Sequence, residues 1–372
     1  MRLSGVRISF VTYSTRPRGS VVHTLALAEA LAAQGEDVTV WALGRDGDDG
    51  VFRPVDPAVR VRVVPAPARE DDFGRRVTGS IRALADAVEV SSADVVHAQD
   101  CIAANAVPRC VRTVHHLDTF TTPELVACHD RAIRRPIAHV CVSRAVAAEL
   151  VAGWGYRATV IPNGVDFDRF ARATTDVAGR AAWAERIGRP YVLAVGGIEP
   201  RKGTLDLVET WARLQSTHPE PVLVIAGGET LFDHRPYRAE VERRCAELGV
   251  EPIVLGPVAY DSLPALVAGA AVFAFPSTRE GFGMAAMEAL AAGVPVVMRD
   301  LPVLGDIFYG AARFASSPEG FAAQVAAALD EPAPALAARG RALAARHTWE
   351  AAATAHRAFY ARVLEQGQAR AG

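Results

Sequence analysis

Apolar stretches rich in valine and isoleucine alternate along the chain with stretches rich in alanine and leucine that have helical periodicity. This alternation is typical of parallel sheets whose strands are joined by crossover helices, and it occurs twice. The first series of predicted strands covers residues 6–13, 38–43, 59–64, 94–98, 112–115, 139–142 and 159–161. The second covers residues 191–195, 222–226, 253–256, 272–275 and 295–298.

The two series predict two doubly wound α/β domains, one at residues 1–170 and one at 171–348. The intervening region, 163–189, lacks strand periodicity and contains Asn-Gly and arginine-rich turns, so we expect the linker there. The last segment, 349–372, predicts a helix that packs back on the N-terminal domain. Ligands of doubly wound sheets bind beyond the carboxyl ends of the strands, so the loops after strands are the candidate sites.

Length and composition agree with this organisation. A chain of 372 residues is longer than one core usually supports, and its 50% apolar and 22% charged residues are typical of globular domains. The formal net charge of −2 gives no general attraction to nucleic acid or to anionic lipid. We therefore expect a small-molecule partner, no nucleic acid and at most peripheral membrane contact, with no indication of oligomeric state.

The five cysteines form no CxxC pair, and the first residues show no extended apolar signal region. A cytoplasmic location is therefore expected. The chain has no HExxH motif, zinc-like cysteine set or EF-hand spacing. We expect neither a bound metal nor a cofactor.

The most informative segment follows the predicted strand at 272–275 and opens a helix. Gly281 and Gly283 have no side chain to block a ligand, and the helix that begins near Gly283 presents unpaired N–H groups. A pyrophosphate fits this geometry. Glu280 and Glu288 flank it, so that one carboxylate can face a sugar and the other a ribose.

Two other functions are compatible with these features. Gly281 to Ala286 also fits the GxGxxA dinucleotide fingerprint, and Asp300 follows the next strand, where a ribose-binding acid would lie. This reading predicts an NAD-dependent dehydrogenase or epimerase. A two-domain sugar-binding protein is the alternative that is not an enzyme.

Several ordered segments resemble glycosyltransferase family 4. Glu280 and Glu288 match its acidic pair, separated by seven residues, and 195–203 (VGGIEPRKG) is similar to its basic loop. Further similar segments are 94–100, 142–149, 160–166 and 255–258. The resemblance implies a GT-B fold, with two Rossmann-like domains facing a central cleft. It also implies a retaining glycosyltransferase that moves a hexose-type sugar from a nucleoside diphosphate sugar to the hydroxyl of a small-molecule, glycan or lipid-linked acceptor.

The resemblance also implies the site residues. His115, Arg201, Lys202 and Glu280 are the candidate catalytic residues. The candidate donor-binding residues are Gly197, Arg201, Lys202, Val258, Glu280, Gly281, Phe282, Gly283, Met284 and Glu288.

Lys202 is the single lysine among 40 basic residues. A chain so rich in arginine would be expected to carry arginine wherever any positive charge suffices, and a compact ammonium is not interchangeable with a planar guanidinium. We therefore expect Lys202, with Arg201, to bind the donor diphosphate and to stabilise charge on the leaving phosphate.

The N-terminal domain supplies the expected acceptor side. His115 matches the family histidine that approaches the transferred sugar, and it is the last residue of a predicted strand. The other candidates lie in the first loop, in the next position after His115, or at the end of the strand at 94–98. They are Gly19, Ser20, His97, Asp100 and His116.

Overall fold

The structure, a computed structural model, describes residues 5–45, 47–68, 72–118, 120, 122–227 and 234–369. These residues form two compact units. Unit 1 contains the chain up to Gly164 and from Trp349 onward, and unit 2 contains Val165–Thr348. Each unit has its own parallel sheet, so the predicted α/β fold class is confirmed.

Parallel strands form the centre of unit 1. Within its described part they are β1 (Arg7–Thr12), β2 (Asp37–Leu43), β3 (Arg60–Val64), β4 (Val95–Ala98), β5 (Val111–Val114), β6 (Ala138–Cys141) and β7 (Thr159–Val160). They pair in the order β3-β2-β1-β4-β5-β6-β7. β4 and β5 are buried along their whole length, which explains why the sequence shows apolar runs there and not an alternating pattern.

Within the described residues before 164, five α-helices flank this sheet. They are α1 (Gly19–Ala33), α2 (Phe73–Ala87), α3 (Cys101–Ala106), α4 (Pro123–Arg134) and α5 (Arg144–Trp154). The predicted N-cap of α5 is confirmed, because the Ser143 hydroxyl accepts a hydrogen bond from the backbone N–H of Val146.

Unit 2 repeats the arrangement. Its described strands are β8 (Tyr191–Val195), β9 (Val222–Ala226), β10 (Ile253–Gly256), β11 (Val272–Phe275), β12 (Val296–Arg299) and β13 (Arg313–Ala315). They pair in the order β10-β9-β8-β11-β12-β13. The sequence did not predict β13, which has only three residues and begins with an arginine.

Helices flank the sheet of unit 2. The described ones are α6 (Phe167–Arg172), α7 (Val177–Ile187), α8 (Thr204–Leu214), α9 (Arg235–Leu248), α10 (Leu263–Ala268), α11 (Met284–Ala291), α12 (Pro302–Phe308), α13 (Pro318–Asp330) and α14 (Pro334–Arg346). The sequence did not predict α6 and α7, which occupy the region expected to be an irregular linker. They form because Phe170 and Trp183 are buried within unit 2.

The last helix, α15 (Trp349–Ala369), belongs to unit 1 and packs against α1. Ala353, Phe359 and Tyr360 join the hydrophobic cluster that covers this face of the sheet. Arg357 forms an ion pair with the buried Glu36. Among the described helices, none has both the length and the hydropathy that crossing a bilayer requires.

A glycine allows two loops of unit 2 to touch. Gly203 precedes α8 with a φ of +67°, in the left-handed region that disfavours residues with a Cβ. A Cβ at this position would lie 2.2 Å from the carbonyl oxygen of Pro276. The backbone conformation and the close contact therefore both require glycine.

Replacing Gly203 with alanine should lower the free energy of unfolding of unit 2 by about 2–5 kcal/mol. A left-handed alanine costs about 1–2 kcal/mol, and forcing a methyl group into a packed contact adds about 1–3 kcal/mol. Urea denaturation of the full chain measures this loss.

Gly249→Ala is the matched control. Gly249 also has a left-handed backbone, with φ +62°, but a Cβ there meets nothing within 4 Å. Only the conformational cost of about 1–2 kcal/mol applies to it. Equal losses in the two variants would show that the contact with Pro276 contributes nothing.

Candidate functional site

Two loops meet at the carboxyl edge of the unit 2 sheet. β8 and β11 are neighbours, and the strand order reverses between them. Such a reversal is where doubly wound sheets bind ligands. The basic loop, residues 196–203, follows β8, and the glycine loop, residues 276–283, follows β11.

Four charged side chains connect the two loops, and we call them the ionic cluster: Glu199, Arg201, Lys202 and Glu280. Lys202 Nζ lies 2.6 Å from Glu280 Oε1, and Arg201 Nη1 lies 3.2 Å from the same oxygen. Arg201 Nη2 lies 2.9 Å from Glu199 Oε1. The side chains of Glu199 and Glu280 are only 9% and 10% exposed, so these ion pairs are shielded from solvent.

The ionic cluster sets the protonation of its members. Burial favours the neutral form of Glu280, but Lys202 and Arg201 outweigh it and lower the pKa of Glu280 to about 2. Burial lowers the pKa of Lys202, although Glu280 opposes the shift. Glu280 is therefore a carboxylate at any physiological pH.

A further arginine joins the glycine loop to α8, the helix that follows the basic loop. Arg299, at the end of β12, donates from Nε to the carbonyl oxygen of Pro276, 2.9 Å away, and it also pairs with Asp206. Pro276 opens the glycine loop and Asp206 lies in the first turn of α8. This role was not predicted, because both partners are distant along the chain.

The glycine loop leads into a helix whose N-terminus is open. Gly283 precedes α11 with a φ of +95°, and Met284 is the first helical residue. The first N–H groups of a helix have no partner within it, so they are available to a ligand. Gly281 and Phe282, which precede the helix, are buried.

Glu288 lies in the second turn of α11 and is partly buried. None of the residues that the structure describes forms a hydrogen bond or an ion pair with its carboxylate. Burial raises the pKa of Glu288 to about 7, with Arg169 opposing the shift and Asp166 adding to it. The pKa values of the two glutamates of the acidic pair are therefore shifted in opposite directions: cations lower that of Glu280, whereas burial raises that of Glu288.

The remaining predicted donor residues lie at the same edge of the sheet. Gly197 belongs to the basic loop and lines a small cavity together with Lys202, Pro276 and Ser277. Val258 lies in the loop after β10 and is partly buried. Glu199, which the sequence analysis did not assign, completes the ionic cluster as an acid two residues before Arg201.

In unit 1, His115 lies in a cluster of buried histidines at the end of β5. Its ring makes an edge contact with His23 at 4.8 Å between centroids, and its Nε2 lies 3.3 Å from Gln99 Oε1. Burial lowers the pKa of His115 to about 3, and the neighbouring basic side chains of His116, His97 and Arg112 add to the shift. His115 is therefore a neutral imidazole that can exchange hydrogen bonds but carries no charge.

His97, which was predicted on the acceptor side, lies in the core of unit 1. Its side chain is fully buried, with Nδ1 2.7 Å from the Tyr360 hydroxyl and Nε2 2.8 Å from the Thr113 hydroxyl. Both ring nitrogens are therefore occupied within the core. His116, in contrast, is partly exposed, and its Nε2 lies 3.3 Å from Asp118.

The other acceptor-side candidates flank the point where the strand order of unit 1 reverses, between β1 and β4. Gly19 and Ser20 form the first turn of α1. Asp100 caps α3, and its two carboxylate oxygens accept hydrogen bonds from the backbone N–H groups of Ala103 and Tyr13. Its carboxylate thus fixes the loops at this edge.

Comparisons with known proteins agree with this geometry. The family model for glycosyl transferases group 1 matches residues 179–342, and that for Glycosyltransferase Family 4 matches residues 17–169. The glycogen synthase of Mycobacterium tuberculosis is 29% identical over 91% of this chain and 89% of its own length. The D-inositol 3-phosphate glycosyltransferase of Xylanimonas cellulosilytica is also 29% identical, over 98% of this chain and 99% of its own length.

Solved structures show the same fold. The sucrose-phosphate synthase of Thermosynechococcus elongatus matches with a TM-score of 0.78 at 18% identity, covering 97% of this chain and 100% of that one. The Anabaena protein HepE, solved in complex with UDP-glucose, matches with a TM-score of 0.74 at 18% identity, covering 97% and 99%.

The two family models together span both units, and the curated relatives are transferases. This membership excludes the dehydrogenase, epimerase and sugar-binding alternatives that the glycine loop alone left open. The chain belongs to the group 1, family 4 glycosyltransferases, and it is a transferase enzyme with the GT-B fold.

Proposed function

We propose that the enzyme transfers a hexose-type sugar from a nucleoside diphosphate sugar to an acceptor hydroxyl, with retention of the anomeric configuration. One observation carries the proposal: the ionic cluster lies beside the open N-terminus of α11, and the carboxylate of Glu288 is unpartnered further along that helix. Together these features offer cations, N–H donors and a carboxylate to one ligand.

Each part of the donor has a matching group in unit 2. The N–H groups at the start of α11, with Arg201 and Lys202, bind the diphosphate. Glu288 accepts hydrogen bonds from the ribose hydroxyls, because none of the described residues competes for its carboxylate. Glu280 accepts hydrogen bonds from the sugar when the diphosphate takes over Lys202 and Arg201.

The chemical step needs little from the protein beyond position and charge. None of the candidate carboxylates is assigned as a nucleophile, so the acceptor attacks on the face that the diphosphate leaves, and the departing diphosphate helps to deprotonate it. Lys202 and Arg201 stabilise the charge that grows on the leaving phosphate. The neutral His115 orients a hydroxyl by a hydrogen bond.

The acceptor binds to unit 1, where Gly19 and Ser20 open α1 and where His115 and His116 follow β5. Named relatives support a nucleotide-linked hexose as donor. HepE was solved with UDP-glucose, and a mannosyltransferase of Mycolicibacterium smegmatis, 36% identical over 42% of this chain, is named as GDP-mannose-dependent. These two nucleotides define the first donors to test.

A screen of UDP-, GDP- and ADP-sugars should identify one nucleotide class that raises the melting temperature and supports transfer, since only a bound ligand stabilises the native state. Transfer should continue in excess EDTA, because Arg201, Lys202 and the α11 N-terminus neutralise the diphosphate without a metal. NAD serves as the negative control. Stabilisation by NAD alone, or complete loss of transfer on chelation with recovery on adding magnesium, would reject this site.

The nucleotide sugar found in that screen should bind more weakly as the pH falls below about 7, by up to tenfold per pH unit. The pKa of Glu288 is about 7, so the carboxylate that accepts the ribose hydrogen bonds is lost through protonation. Glu288→Gln should bind about 10- to 100-fold more weakly at pH 8, since a hydrogen bond to a charged group contributes about 1.5–3 kcal/mol. Calorimetric titration from pH 6 to pH 8 measures both effects.

Glu280→Gln is the matched control. The pKa of Glu280 is about 2, so this residue does not titrate in the window and the variant should keep the pH dependence of wild type. It should lose transfer rate more than nucleotide affinity. The ribose assignment fails if Glu288→Gln retains the wild-type pH dependence.

A further inference from the structure

Arg169, on α6, holds the loop that follows β10. Its Nη2 donates a hydrogen bond to the backbone carbonyl oxygen of Tyr260, and its Cζ lies 3.6 Å from the centroid of the Tyr260 ring. A planar guanidinium can stack on an aromatic ring while it donates a hydrogen bond, and a lysine ammonium does not reproduce this arrangement. Arg169 therefore fixes both the backbone and the side chain of Tyr260.

This loop carries one of the predicted donor-binding residues. Val258 lies two residues before Tyr260 and is partly buried. The far end of the loop is anchored as well, because Trp183 Nε1, on α7, donates to the carbonyl oxygen of Ser262, 3.1 Å away. Of these two anchors, Arg169 is charged and Trp183 is not.

The charge of Arg169 also acts on Glu288. α6 packs against α11, the helix that carries Glu288. Burial is the main cause of the raised pKa of Glu288, and among the neighbouring charges Arg169 has the largest effect and opposes that shift. Asp166, which caps α6 and accepts a hydrogen bond from the backbone N–H of Arg169, has the opposite effect.

In the described part of the chain, the other charged groups on elements packed against α11 do not contribute to the pKa shift of Glu288. They are Arg299 on β12, Arg339, Arg341 and Arg346 on α14, and His347 directly after α14. The local charges that act on Glu288 thus belong to α6 and its cap.

We propose that Arg169 is a positioning residue for the nucleoside part of the donor, acting through the loop that carries Val258 and through its electrostatic field at Glu288. These two targets lie on different elements. α6 contacts both, because it packs against α11 and against α10, the helix into which the loop leads. The identity of the ligand rests on the proposed function, whereas the contacts of Arg169 do not.

Donor kinetics give the first test, with the nucleotide sugar found in the screen. Arg169→Met should raise the KM for the donor about tenfold at pH 7 and change kcat by less than about twofold, because the nucleoside is bound equally in the ground state and the transition state. Arg172→Met is the matched control, since Arg172 is an exposed arginine of the same helix, and it should keep both constants. A fall in kcat with an unchanged KM would overturn the assignment to the nucleoside.

The pH dependence of donor binding separates the charge of Arg169 from its contacts. Loss of the cation raises the pKa of Glu288, so the pH below which affinity falls should move upward by about half a unit to one unit in Arg169→Met. Arg169→Lys keeps the charge but not the stacked contact, so it should keep the wild-type midpoint while its affinity falls about three- to tenfold.

Trp183→Phe is the uncharged control for the loop. It removes the hydrogen bond to Ser262 without changing any charge, so it should weaken donor binding and leave the pH midpoint unchanged. A wild-type midpoint in Arg169→Met, or the same upward shift in Trp183→Phe, would overturn the electrostatic part of the proposal.

A titration without donor keeps this test independent of the proposed function. ¹³C NMR of protein labelled at the glutamate carboxyl carbons gives the pKa of Glu288 in the free protein, with its signal assigned by its absence in Glu288→Gln. Arg169→Met should raise this pKa, and Arg169→Gln serves as the second variant if Arg169→Met does not fold. Asp166→Asn removes the opposing charge and keeps a good helix cap, so it should lower the pKa.

An unchanged pKa of Glu288 in the Arg169 variants would overturn the proposed action on Glu288. A missing donor in the nucleotide screen would refute the proposed function alone, because the NMR titration needs no donor.

Discussion

The contact between Lys202 and Glu280 is the interaction on which the candidate donor site depends. It joins loops that follow neighbouring strands of unit 2 and lies where the strand order reverses. Both side chains are largely shielded from water, so removing one would leave a buried charge uncompensated. Arg299 and Gly203 also contact this junction. Arg299 donates a hydrogen bond to the carbonyl oxygen of Pro276, and the backbone of Gly203 packs against the same residue.

This contact also couples the roles proposed for the two residues. Without a donor, Lys202 and Arg201 are neutralised by Glu280 and Glu199. A diphosphate that binds the two cations competes with Glu280 for them. The displaced carboxylate stays ionised because its pKa lies far below neutrality, and it becomes available to the hydroxyl groups of the sugar. In the proposed function, phosphate binding and sugar binding are thus linked through one ion pair.

The sequence predicted the elements that depend on residues close together along the chain, and it missed those that depend on contacts with distant residues. The apolar runs predicted β8 and β9 with the bounds that the structure has, because buried parallel strands are recognisable from composition. The helices α6 and α7 were missed because their amphipathic signal is short and depends on burying Phe170 and Trp183. Arg299 was missed for a related reason. Nothing near it in the sequence indicates the distant carbonyl to which it donates.

The most direct test of the donor site is the reactivity of Lys202, the only lysine in the chain. Its lowered pKa and 20% side-chain exposure leave an amine that acylating reagents can modify, and the α-amino group of the chain is an internal reference. Mass spectrometry follows acylation at each amine while transfer activity is measured in the same samples. The account predicts that activity falls in step with acylation of Lys202, and that the nucleotide sugar slows this modification without changing the rate at the α-amino group. Complete acylation of Lys202 with undiminished transfer would contradict it.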